Sequence, residues 1–152
     1  MLAYECELGL SKVYNTFSQK FHEHKGMSSF WSMLSNEEKE HCAFVDEMMN
    51  SLSKEQRLME LPPSQWEPIE QLKQYIDYSE DLLTTIEEAI IFTERAEEYE
   101  ITSLMLLLSK KITPKNRRND ILNMQLSDHY KKIRNFINKH KETRTFPSNK
   151  SL

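Results

Sequence analysis

Apolar residues recur along this chain at steps of three and four, the spacing that places them on one face of an α-helix. From residue 2 to about 24, Ala3, Leu10, Tyr14, Phe17 and Phe21 fall on one seam, and Glu7 lies on the same line. A second helix is expected from "GMSSFW", with Ser28 or Ser29 as its cap, to about Leu52. Its seam reads Leu34, Glu38, His41, Val45, Met48, Leu52. A third, from about Leu83 to Lys111, aligns Leu83, Ile86, Ile90, Glu94, Glu97, Ile101, Leu104 and Leu108. The fourth, from about Asp120 to His140, aligns Leu122, Leu126, His129, Ile133, Phe136 and His140. Breakers in "ELPPSQWEP" make residues 53–82 a connection, with a short helix near "IEQLKQYI". In "ITPKNRRND", Pro114 prevents continuation and Asn119 or Asp120 caps the next helix.

Two short loops and one long middle connection predict an all-α fold, a four-helix bundle with a crossover between the second and third helices. One domain is expected over residues 1–141, followed by a basic polar tail at 142–152. Composition agrees: Gly 2 and Pro 5 are too few for a strand-and-turn protein, and 152 residues can bury a real core.

Charge and cysteine content narrow the function classes. No apolar run reaches the roughly 18 residues of a membrane span. The start, "MLAYECELGL", carries Glu5 and Glu7 and lacks the basic stretch of a secretion signal. Cys6 and Cys42 make neither a disulfide framework nor a zinc knuckle, so a reducing cytoplasm is expected. From Lys110 onward there are 12 basic against 3 acidic residues, although the whole chain carries a net charge of −4. Such a segment can meet nucleic acid or an anionic surface, but the lack of interleaved aromatics favours a plainer reading. A basic last helix beside acidic ones, within one molecule or across a homodimer, accounts for it.

The seams are interrupted at comparable heights: Glu7 on the first, Glu38 and His41 on the second, Glu94 and Glu97 on the third, His129 on the fourth. Taken singly, each has a plainer reading. Glu38 is an ordinary surface residue, "ERAEEYE" a solvated acidic face, and His129 a core histidine. Their joint occurrence on four helices points instead to a shared metal site. Four buried carboxylates cost several kcal/mol each unless they protonate or cations balance them. No Lys or Arg lies on the seams at that level. Two divalent ions would balance four glutamates with both histidines neutral, and such ligands suit iron, manganese or zinc.

These residues carry a family resemblance. The chain resembles the ferritin-like superfamily, and within it the rubrerythrin-like di-iron proteins. Those carry a Glu on helix one, Glu-x-x-His on helix two, Glu or Glu-x-x-Glu on helix three and Glu-x-x-His on helix four. Here the positions read Glu7, Glu38 to His41, Glu94 to Glu97, and Leu126 to His129. Leu126 departs from the pattern, so one bridging carboxylate is missing and the site reads as two-metal, one-metal or a relic. No Cys-x-x-Cys pair is present, so the rubredoxin domain of full rubrerythrins is not on this chain. The resemblance implies two iron ions, hydrogen peroxide or dioxygen as oxidant, and a separate electron-donor protein. It also implies Glu97 as a mobile, catalytic carboxylate, with Glu7, Glu38 and Glu94 as fixed ligands and His41 and His129 binding through one ring nitrogen. Tyr14, two turns from Glu7, is placed to hydrogen-bond a ligand carboxylate. Metal storage, or a non-catalytic interaction module with a degenerate site, is the alternative.

Overall fold

The structure is a computed structural model that describes residues 2–55, 63–79, 83–111 and 128–140. The elements are α1 (Leu2–Lys20), α2 (Lys25–Ser51), α3 (Pro63–Ser79), α4 (Ile86–Lys111) and a last helix, α5, over 128–140. The described residues contain no strand. Where the residues are described, the apolar period of the sequence becomes helix, as its 3.6-residue spacing predicts.

α1 buries Cys6, Glu7, Leu10, Ser11, Val13, Tyr14 and Phe17, the face expected from its seam. It ends at Lys20 rather than near 24, in a turn closed by the His24 N–H on the Phe21 carbonyl (3.0 Å). α2 starts at Lys25 with His24 as its cap residue, and neither Ser28 nor Ser29 caps it. Ser28 has a different partner. Its hydroxyl donates to the Ser18 carbonyl while the Ser18 hydroxyl donates to the Ser28 carbonyl, both at 2.9 Å. Ser11 and Ser35 repeat this exchange at 2.9 and 2.8 Å, and the Cys42 thiol lies 3.9 Å from the Tyr4 carbonyl. Each step of seven along α1 is thus a step of seven back along α2. That is the register of an antiparallel pair whose small side chains let two backbones come close.

α3 is a full helix, longer than the short one expected. Pro63 occupies the first helical position, where its missing N–H costs nothing. Ile69, Leu72 and Ile76 are its buried face. It lies on α1 at Gly9, where an added Cβ would come within 2.9 Å of Ile76 Cγ2, and on α4, where Tyr75 stacks on Phe92 with centroids 4.9 Å apart.

α4 opens with a capping box. The Glu88 N–H donates to the Thr85 hydroxyl (3.2 Å), and the Thr85 N–H donates to the Glu88 carboxylate (2.9 Å). Its buried positions are Ile86, Ala89, Ile90, Phe92, Thr93, Ala96, Glu97 and Glu100. α5 joins through Ile133 and Ile137, both 1% exposed, and through Phe136 stacked flat on Phe30 of α2.

The elements meet around Trp31, Tyr14, Phe17, Phe92 and Leu10. Each such side chain contributes roughly 1.5–3 kcal/mol by leaving water. Trp31 Nε1 donates to the Thr93 hydroxyl at 3.1 Å, so the largest core ring leaves no polar atom stranded. The expected Leu126 and Leu122 positions, and the tail at 142–152, lie outside the described residues.

Candidate metal centre

Beyond this apolar layer the core changes character. Glu38 and Glu97 are 0% exposed and Glu7 and Glu100 are 1% exposed, with His129 at 5% beside them. Two groups of metal-ligating atoms result, each with all members within 4.8 Å of one another. One comprises Glu7, Glu38, His41 and Glu100; the other comprises Glu38, Glu97, Glu100 and His129. Glu38 and Glu100 belong to both. The His41 and His129 rings stand edge to face, with centroids 5.2 Å apart.

Local helix geometry produces this convergence. Glu38 and His41 are one turn apart on α2, and Glu97 and Glu100 one turn apart on α4, so each pair presents its ligands on one face. Glu7 comes from α1 and His129 from α5.

Of the six residues expected from sequence, Glu7, Glu38, His41, Glu97 and His129 come together. Glu94 does not. It is half-buried and belongs to neither group, and Glu100 occupies the position expected of it. The physical reason is helix phase. The buried line on α4 runs Ile86, Ile90, Thr93, Glu97, Glu100, whereas the expected one passed through Glu94 and Ile101. Both use steps of three and four, and they share Ile86, Ile90 and Glu97. "ERAEEYE" offers a glutamate to either phase, and the closer signal was the Glu-x-x-Glu beginning at Glu97. With Glu100 included, the cluster has four carboxylates although Leu126 supplies none.

The hydrogen bonds are unevenly distributed. His41 Nδ1 is 2.9 Å from Glu38 Oε2, 3.2 Å from Glu100 Oε1 and 3.5 Å from Glu7 Oε2. A ring nitrogen carries at most one hydrogen, so one donor faces three carboxylates. Accordingly Glu7 Oε2, Glu38 Oε1 and both Glu100 oxygens are buried without a hydrogen-bond donor among the described residues. On the other side, His129 Nε2 meets Glu97 Oε2 at 2.9 Å and His129 Nδ1 meets Glu37 Oε2 at 2.8 Å. Tyr14, 0% exposed, donates its hydroxyl to Glu97 Oε1 at 2.7 Å. Both Glu97 oxygens are therefore held in the metal-free cluster. Glu37 went unnoticed in the sequence because it lies about 100° around the helix from Glu38 and off the seam.

The electrostatics follow from burial. Burial, reinforced by the charge of Glu100, holds the Glu38 carboxyl well above its usual range. Burial and the charges of Glu7 and Glu97 push Glu100 up to about 8. Burial works to lower both histidines but is outweighed. Bonds to Glu37 and Glu97 push His129 up to about 11, and the carboxylates of Glu100, Glu38 and Glu7 crowded around the His41 Nδ1 push that ring up as well. The Tyr14 hydroxyl is held protonated by burial and by Glu97. Without a metal, then, the cluster retains protons to offset its own charge. Cys6 and Cys42 stay thiols, pushed up to about 12 and about 11 chiefly by burial, and neither joins a ligand group among the described residues.

The donor set suits a metal ion. Four carboxylates and two imidazoles are hard and intermediate ligands of the kind iron, manganese and zinc take. Orphaned oxygens point into the cluster rather than toward water.

No protein-family profile, no curated protein and no solved structure matches this chain.

Proposed function

We propose that this chain is a dinuclear metalloprotein of ferritin-like build, with α1, α2, α4 and α5 as its four-helix bundle and α3 in the crossover between α2 and α4. One ion takes Glu7 and His41, the other takes Glu97 and His129, and Glu38 and Glu100 are shared. The observation that carries this is the set of carboxylate oxygens on Glu7, Glu38 and Glu100 that are buried with no donor. Each uncompensated buried charge costs several kcal/mol, against a total stability of about 5–15 kcal/mol for a domain. Two +2 ions remove that cost for four glutamates at once. A bundle that never bound metal would have to meet that cost with retained protons alone, leaving buried oxygens on Glu7, Glu38 and Glu100 without donors, which weighs against a purely structural module.

The reaction we assign is rubrerythrin-like: reduction of hydrogen peroxide, or reaction with dioxygen, with electrons returned by a separate donor protein. Glu7, Glu38, His41, Glu97, Glu100 and His129 would hold the iron, which would supply the two electrons that, with two protons, reduce hydrogen peroxide to two waters. The chain's own side chains do the rest. Tyr14 fixes the orientation of Glu97, and Glu37 fixes that of His129. The aromatic layer of Phe17, Trp31 and Phe92 keeps water from one end of the cluster. The His41 side chain, 18% exposed, leaves a small polar oxidant a way in.

The test is metal analysis of protein purified without chelators, followed by anaerobic Fe(II) titration and peroxide consumption with a supplied electron donor. Two equivalents of iron and donor-dependent loss of peroxide are expected. Two equivalents without turnover would indicate storage. No tightly bound transition metal would overturn the proposal.

A further inference from the structure

The two halves of the cluster have the same donors. Each has one glutamate and one histidine of its own, and both share Glu38 and Glu100. Bare ligand chemistry gives no reason for the two positions to differ. Their surroundings do.

Outside groups hold both Glu97 and His129, the two ligands that belong to one half alone. Tyr14 holds Glu97 at 2.7 Å, Glu37 holds His129 at 2.8 Å, and Lys132 Nζ in turn lies 3.5 Å from Glu37. The His129 side chain is 6% exposed. Around Glu7 and His41 the situation is reversed. Among the described residues, no hydrogen bond from outside the cluster reaches either side chain, and His41 Nδ1 meets only the cluster's own carboxylates. Glu7 Oε2 has no donor, and the His41 side chain is 18% exposed. Ligands locked before binding lose less freedom on binding, and outer partners of this kind typically account for about 10–100-fold in metal affinity.

We propose that the two positions fill in order, the Glu97/His129 position first and tightly, and the Glu7/His41 position second, as a weaker and exchangeable site open to solvent through His41. This deepens the two-ion reading above and rests on it. One consequence is that the protein at limiting metal holds a single ion, and can then accept a different divalent metal beside it.

Mn(II) tests the order, because a lone ion and a coupled pair differ in their electron paramagnetic resonance spectra. The wild-type chain, stripped of metal and titrated anaerobically, is expected to show a six-line lone-ion signal up to one equivalent. A coupled spectrum then grows in between one and two equivalents. Tyr14→Phe keeps the ring between Phe17 and Phe92 but loses the hydroxyl, and should weaken the first step roughly tenfold while sparing the second. Glu37→Ala, at a side chain 23% exposed, should repeat that effect from the surface. Glu7→Ala should leave the first step and lose the second, reducing stoichiometry from two to one. A coupled spectrum from the first aliquot, or loss of the tight step in Glu7→Ala, would overturn the ordered filling while leaving the two-ion reading intact. Wild-type saturation below two Mn(II) would overturn both.

Discussion

At the scale of single residues, the site turns on which of two glutamates three positions either side of Glu97 faces inward. Glu94 is half-buried and Glu100 is 1% exposed among three other carboxylates. Substitution separates them. Glu100→Gln keeps the shape but replaces a shared anionic ligand with a neutral one, so metal stoichiometry should fall below two. The metal-free protein should melt higher at neutral pH, because folding no longer has to protonate a carboxyl that burial, Glu7 and Glu97 push up to about 8. Glu94→Gln should bind two ions like wild type. Equal loss of metal in the two variants would return Glu94 to the site. The same pair shows what was legible beforehand. Glu7, Glu38, His41, Glu97 and His129 stood out because each interrupts an otherwise apolar seam. Glu100 did not, since in an acidic run such as "ERAEEYE" the period alone fits two phases. Tyr14 was readable as a partner for a carboxylate because it shares a seam with Glu7. Glu37 was not, because its role depends on α5 lying across α2, a tertiary fact.

At the scale of helices, long and strongly periodic segments were legible and their ends were not. α1 and α2 formed over the expected stretches, but Ser28, a cap candidate, instead pairs with Ser18 across the two helices, where the heptad spacing of Ser11, Ser18, Ser28 and Ser35 aligns them. That spacing was present in the sequence, hidden because serine carries no hydrophobic signal. α3 was underestimated since Pro63 reads as a breaker, although at a first helical position it starts a helix. The start of α4, by contrast, is a local device that can be tested alone. Thr85→Ala removes the cap and should cost about 1 kcal/mol. Glu88 completes the box, and its backbone donors at Thr84 and Thr85 hold its carboxyl below the ordinary 4.5. A lowered folded value means that its contribution is present above pH 4.5 and is lost as the pH falls through the folded value. Chelated Glu88→Ala should therefore melt below wild type at neutral pH, and the two curves should converge in acid. A gap that persists unchanged at low pH would show that the carboxylate's charge is not what stabilises the helix end.

At the scale of the whole molecule, four helices each give part of the cluster and none can hold an ion alone. Glu7 belongs to α1, Glu38 and His41 to α2, Glu97 and Glu100 to α4, and His129 to α5. On the dinuclear reading, metal binding is coupled to the packing of all four, because an unfolded chain cannot bring these six together. The ligands must also give up protons, since His129 is pushed up to about 11 and Glu100 up to about 8 without metal. A cation thus replaces an expensive arrangement of shared protons with direct charge balance. Ligation confined to the folded state stabilises it by about 2.7 kcal/mol when the metal is at 100 times its Kd. For a chain of this length that corresponds to roughly 5–10 °C in melting temperature per ion. Thermal unfolding of the chelated protein should accordingly rise in two increments as Mn(II) is added, and excess chelator should reverse both. The first increment should survive in Glu7→Ala and the second should not. A melting temperature indifferent to Mn(II), Fe(II) and Zn(II) alike would mean that the carboxylates are neutralised by protons alone, and the dinuclear reading would fall.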